Sequence, residues 1–233
     1  MHDGLLNVKN RNYRALIYYY YRALKVFSCL LLLSGSAYAQ KSWELVKSKD
    51  NIFIYKRDAK GSALKELKVT SNFESSLSGF IALLKDINAQ PSYMYSCMES
   101  RVLKSISEKD LIFYQRIKAP WPFINRDGIY HQVIEQDSAT HVVTVYSNSM
   151  SEYIPAAKDF VRVPLVKSHW TIRPNKDRGI YAEYYFFGDP GGGLPAWLIN
   201  MFMAEAPYKT QLKMHEVIKQ KKYQEAKVDF IVN

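Results

Sequence analysis

The sequence predicts an α+β fold in which a curved antiparallel sheet wraps around one long C-terminal helix. Three observations carry that expectation. From Ser96 onward, apolar residues recur with period two in segments joined by short polar turns, the pattern of an antiparallel meander. Ala119-Pro120-Trp121-Pro122 and Asp189-Pro190-Gly191-Gly192-Gly193-Leu194-Pro195 each punctuate the end of such a segment. After the second of them the spacing turns helical.

Taken in order, residues 43–46 read as a short helix or an extended lead-in, and 52–57 and 64–73 as strands. Ser75 or Ser76 caps a helix whose Leu77, Phe80, Ile81, Leu84 and Ile87 share one face, ending before Pro91. Strands follow over 101–106, 111–117, 128–135, 142–147, 160–173 and 180–187, separated by turns such as 107–110 and 175–179. A sheet of that size curls because its strands twist, and its concave face has to be covered. The cover is the last helix, with Pro195 in its first turn and Trp197, Leu198, Met201, Phe202, Tyr208, Leu212 and Ile218 at steps of three and four. Pro207 predicts a kink near Ala204. Met201, Met203 and Met214 serve either as adaptable surface or as core filler. The gap between such a sheet and its helix is a natural pocket for an apolar guest.

The chain has 233 residues, of which 48% are hydrophobic and 14% aromatic, enough to bury a core in one domain of ordinary size. Residues 40–233 contain no repeat or low-complexity tract and are read as that domain. Residues 1–39 read as an address: Arg11, Arg14, Arg22 and Lys25 precede the apolar run 26–33, and Ala37-Tyr38-Ala39 forms a cleavage pattern. The run is too short to cross a bilayer of about 30 Å, which takes roughly 20 residues. Cleavage after Ala39 and a periplasmic or secreted domain are therefore expected, with an uncleaved anchor extended through residues 18–21 as the alternative. Cleavage would lower the formal net charge from +10 to +6. That balance suits anionic membrane surfaces or simply solubility, and Lys209, Lys213, Lys219, Lys221 and Lys222 read first as a solvated helix face.

Several chemistries are excluded. Cys97 is the single cysteine outside the leader, so the domain forms no internal disulfide, and its neighbours suggest a buried small residue instead of a nucleophile. His2, His131, His141, His169 and His215 make no metal-ligand spacing. The glycines at 191–193 lack the arrangement of a phosphate loop and serve a sharp turn. No G-x-S-x-G elbow is present, and basic residues are too scattered for a nucleic-acid surface. No cofactor is implied.

Four motifs in order, Ile117-Lys118-Ala119-Pro120-Trp121-Pro122 with Asn125-Arg126-Asp127, Lys158-Asp159-Phe160-Val161-Arg162, Trp170-Thr171-Ile172, and Asp189-Pro190-Gly191-Gly192-Gly193-Leu194-Pro195, resemble the START lipid-transfer domains. The resemblance runs from about Trp43 to the last helix. It implies a helix-grip fold enclosing a hydrophobic tunnel for a lipid, sterol or similar molecule. It also implies that residues 147–159, with Met150, Tyr153, Ile154 and Pro155, form a gate loop together with the C-terminal helix; those apolar residues either touch a membrane or pin the loop down. For Arg126 and Asp127 the readings are a structural ion pair or turn contact, or direct ligand contact. A buried polar headgroup needs a partner, and the candidates are Tyr114, Arg116, Arg162 and Glu183, with Tyr185, Trp197, Met201 and Tyr208 as further cavity and lid residues. Glu183 contacts ligand only if strand parity turns it inward. A noncatalytic carrier or sensor in the bacterial envelope is the expected function. The alternative is a cyclase- or aromatase-like enzyme using an Arg, Tyr or Glu of the same pocket; no catalytic pair stands out for it.

Overall fold

The computed structural model describes residues 42–175 and 179–233. The expected leader, 1–39, lies outside them. The described residues form one ten-stranded sheet: β1 (Glu44–Lys49), β2 (Ile52–Asp58), β3 (Lys65–Phe73), β4 (Cys97–Ser107), β5 (Asp110–Ile117), β6 (Arg126–Gln136), β7 (Val143–Ser149), β8 (Val161–Arg162), β9 (Leu165–Asn175) and β10 (Gly179–Asp189). Their order in space is β1-β2-β3-β10-β9-β7-β6-β5-β4, with every neighbour on that path antiparallel.

Local chemistry explains the pairings. The lead-in proves to be a strand, because Asp50 and Asn51 both take left-handed φ values of 52° and 57° and close a two-residue hairpin from Lys49 to Ile52. The single strand expected over 160–173 is divided at Pro164. A proline offers no N–H to a ladder, so β8 ends there after pairing parallel with Arg126 and Asp127, and β9 begins at Leu165.

Between β3 and β4 the chain makes α1 (Leu77–Lys85), capped by the Ser76 hydroxyl, which accepts from the Gly79 amide at 3.0 Å. The helix stops earlier than its apolar spacing suggests. At Asp86 the backbone N–H still bonds to Ala82, but the carboxylate turns to Lys222 and Tyr223, and a 3₁₀ turn (Ile87–Ala89) follows. Pro91 then sits in the first turn of a short helix, α2 (Gln90–Tyr93), where it costs no hydrogen bond.

The C-terminal cover is α3 (Ala196–Phe202), α4 (Glu205–Val217) and α5 (Lys221–Gln224). Its break at Met203 and Ala204 coincides with the expected kink. Pro207 falls in the first turn of α4, where an orphan N–H would have had no partner.

Alternation along the strands defines two faces. On the inner face, Phe73, Val143, Val145, Ile172, Ile180 and Ala182 pack against α1 and the end of α4, while Ile52, Ile54, Leu67 and Val69 pack against Tyr208. His215 of α4 stacks on Phe73 at 4.1 Å and is hydrogen-bonded to Ser71 at 2.7 Å, which ties the helix to β3.

Candidate functional site

The inner face changes character toward one end of the sheet. Along β10, Ile180 and Ala182 are buried, whereas Tyr184 and Phe186, on the same face, are only partly covered. Both lie against the cluster formed by Ile54, Val69 and Tyr208, together with Leu212 of α4. Burial nevertheless pushes the Tyr184 hydroxyl up to about 12, opposed by its interaction with the Ser168 side chain. Two glycines shape the surroundings. A Cβ on Gly128 would stand 2.2 Å from the Tyr130 hydroxyl, and one on Gly188 would stand 2.8 Å from the tip of Phe186. Each ring therefore lies flat along its own strand over a glycine. Because β6 and β10 run in opposite directions, Tyr130 leaning back and Phe186 leaning forward point to the same end of the sheet. Phe113 packs on Tyr130 at 5.2 Å, and Val163 and Val166 complete this apolar floor. Burial raises the Tyr130 phenol well above its ordinary value, so it stays neutral.

Arg126 marks the rim of that end. It is 6% exposed, and its Nη2 donates to the Gly191 carbonyl at 3.2 Å, beneath the left-handed glycines 191–193. Nη1 donates to the carbonyl of Ile124.

Asp127 belongs to the other face, since adjacent strand residues point in opposite directions. Arg162 grips it with two parallel bonds, Nε to Oδ1 at 3.0 Å and Nη2 to Oδ2 at 2.9 Å. The same guanidinium donates to the carbonyls of Ser151, Ile154 and Pro155, and the Ala157 amide donates to Asp127 at 2.9 Å. Tyr114 donates to Asp127 at 3.3 Å, and Arg116 bonds Tyr114 and Glu99. Burial drives the Asp127 carboxyl upward, yet Arg162, the Ala157 amide and Tyr114 outweigh it and hold it below the usual carboxylate range.

These placements sort the residues named from sequence. Tyr114, Arg116 and Arg162 are brought together, but on the outer face, where they join Asp127 in fastening the expected gate loop. Within that loop Met150 and Ile154 pack on Ile112, Tyr114 and Ile129, whereas Tyr153 and Pro155 are exposed. Glu183, paired in register with Thr70 and Thr171, faces outward. So does Tyr185, stacked on His169 at 5.0 Å and met edge-on by Trp43. Tyr208 is in the core, donating to Asp50 with Lys47 above its ring. Trp197 and Met201 are 68% and 59% exposed on α3, a helix with no buried residue. The unbroken parity of β10 was the signal that Tyr184 and Phe186, in step with Ile180 and Ala182, occupy the inner face; nothing local to the sequence marks Tyr130, Gly128 or Gly188 as its floor.

Cys97 is half-buried, and burial pushes its thiol up to about 11, which removes it as a nucleophile at neutral pH. A surface cleft of about 640 Å³ lies elsewhere, bordered by Glu74, Ser76, Pro174, Gln224 and Asn233. It shares no residue with the floor of Tyr130, Tyr184 and Phe186, and it opens to solvent.

The sequence profile of the START domain matches residues 31–221. An uncharacterized protein of Pseudomonas aeruginosa is 29% identical over 178 residues, covering 76% of this chain and 87% of that one. The phosphatidylcholine transfer protein of Bos taurus is 28% identical over 176 residues, covering 72% and 78%. Among solved structures, the STAR-related lipid transfer protein of Xanthomonas axonopodis superposes with a TM-score of 0.73 at 30% identity, over 77% of this chain and all of that fragment. Human StAR-related lipid transfer protein 5 shares the fold, with a TM-score of 0.69 at 12% identity, over 85% and 96%. With its curved antiparallel sheet closed by C-terminal helices, and the family profile running through almost all of it, the chain belongs to the START domain family.

Proposed function

We propose that the protein is a noncatalytic carrier or sensor that holds one lipid or sterol-like molecule between the inner face of its sheet and helices α3 and α4. The observation that carries this reading is the incomplete cover of Tyr184 and Phe186 beside the packed clusters of the inner face. A ligand seated against these rings would complete their cover, and its apolar surface would leave water at about 25 cal/mol per Å². The lipid-transfer relatives support the same assignment.

In this reading α3 is the moving part. It presents Trp197, Met201 and Phe202 outward and buries none of its residues. Trp121 and Ile124, 92% and 57% exposed in the turn before β6, add apolar surface. With a formal net charge of +6 once residues 1–39 are removed, such surface suits transient contact with an anionic bilayer, which would admit and release the ligand. Residues 1–39 would deliver the domain to the bacterial envelope.

Native mass spectrometry of the purified chain, before and after organic extraction, tests the reading. A bound species that extracts chemically unchanged is expected. A protein that carries nothing and takes up nothing from phosphatidylcholine vesicles would refute it, and conversion of the bound species would favour an enzyme.

A further inference from the structure

Arg126 is a buried cation without a counter-charge among the described residues. Its side chain is 94% covered, and Nε has no acceptor among the described residues. Its two other bonds go to neutral carbonyls, those of Ile124 and Gly191. The adjacent carboxylate, Asp127, is turned to the opposite face and consumed by Arg162. Burial is the only influence on its ionisation, and it disfavours the charge. A guanidinium keeps its proton regardless. An unpaired buried charge costs several kcal/mol, so its persistence calls for a partner brought from outside. The free Nε lies on the Nε–Nη2 edge, which can hold two oxygens side by side. By strand register Arg126 lies on the same face and at the same end as Tyr130 and Phe186, with its Nη2 beneath glycines 191–193, where a Cβ at Gly192 would come within 3.3 Å of it.

We propose that Arg126 is the receptor for the anionic group, phosphate or carboxylate, of the lipid held on the inner face, and that the protein selects lipids that carry such a group over those that lack one. The proposal rests on the lipid-binding reading and adds the headgroup class to it. Charge compensation and a two-point hydrogen bond would be gained together on binding, and neither is available to a diacylglycerol.

The test uses the full chain incubated with phosphatidylcholine vesicles containing equal amounts of phosphatidylglycerol and diacylglycerol of matched chains, with retained lipid identified by native mass spectrometry. The wild type should retain phosphatidylglycerol roughly tenfold or more over diacylglycerol, as expected for a charge-assisted contact. Arg126→Gln should lose that preference while holding diacylglycerol as before, and Arg126→Lys, which keeps the charge but not the two-point edge, should fall between. Thermal unfolding verifies that the variants are folded; if Arg126→Gln is not, an Arg126→Lys variant with undiminished preference overturns the proposal. Equal retention of both lipids by the wild type, or an unchanged preference in folded Arg126→Gln, also overturns it while leaving the lipid-binding reading intact. Retention of no lipid at all overturns both. Inorganic phosphate alone stabilising the wild type but not Arg126→Gln, with lipid retention unaltered, would assign the site to a free anion and defeat the headgroup claim.

Discussion

Asp127 accepts bonds from three elements at once: Arg162 of β8, the Ala157 amide of the loop and the Tyr114 hydroxyl of β5. Asp127→Asn would leave Arg162 buried without its counter-charge, a loss of about 3–5 kcal/mol in stability measured by urea unfolding. Because this carboxyl sits below its unfolded value in the folded state, its contribution is present above the ordinary carboxylate pKa and disappears as pH falls through the folded one. Unfolding midpoints between pH 6 and pH 3 should therefore converge for wild type and Asp127→Asn. On the inner face, Gly128→Ala would drive a methyl group into the Tyr130 hydroxyl and lift the ring from its strand. An overpacking cost of about 1–3 kcal/mol is expected, together with weaker retention of phosphatidylcholine by native mass spectrometry; unchanged retention would remove Tyr130 from the site. At this scale sequence reading is weakest. Adjacent Arg126 and Asp127 look like an ion pair in one dimension, yet strand alternation separates them. Arg162, Tyr114 and Arg116 look like headgroup ligands until their acceptors are seen to be a loop and one another.

Elements were largely legible because their periods are strong. The strands, the Ser76 cap and the break near Ala204 follow from spacing and from serine and proline chemistry. The exceptions have local causes: an Asp50-Asn51 turn that converts the lead-in to β1, Pro164 dividing β8 from β9, and Asp86 ending α1 through contacts more than a hundred residues away. Helix α4 is docked partly through His215, whose burial, aided by Lys219 and opposed by Glu74, lowers its pKa. Such a histidine binds protons more readily when unfolded, so stability is full above its unfolded pKa of about 6.5 and declines below it. His169 shifts in the same direction. Lowering the pH from 7.5 to 5.5 should reduce the denaturant midpoint, and His215→Gln should show a smaller reduction; an identical pH response would place the titration elsewhere. Helix α3 predicts the opposite kind of behaviour. Trp197→Glu and Met201→Glu alter exposed positions and should change stability by less than about 0.5 kcal/mol. They should, however, weaken co-sedimentation with anionic vesicles, and undiminished co-sedimentation would exclude α3 as the membrane-facing element.

For the molecule as a whole, the architecture follows from one requirement. A sheet of this width must cover its concave face, and the helices that cover it fill one end by packing Phe80, Met214 and Ile218 with Phe73 of the sheet, while Tyr184 and Phe186 stay only partly buried at the other. The fold of the described residues was readable from the order of strands and final helix. Which end leaves its aromatic rings partly uncovered was not, because it depends on glycines placed beneath those rings and on the face each residue takes across strands distant in sequence. The most direct measurement is photocrosslinking with a phosphatidylcholine bearing a diazirine in its acyl chain, followed by peptide mapping of the full chain. The account predicts adducts on Tyr130, Tyr184 and Phe186. Adducts confined to the exposed Trp121, Trp197 and Met201 would contradict it, because the hydrocarbon would then touch only the outside of the protein.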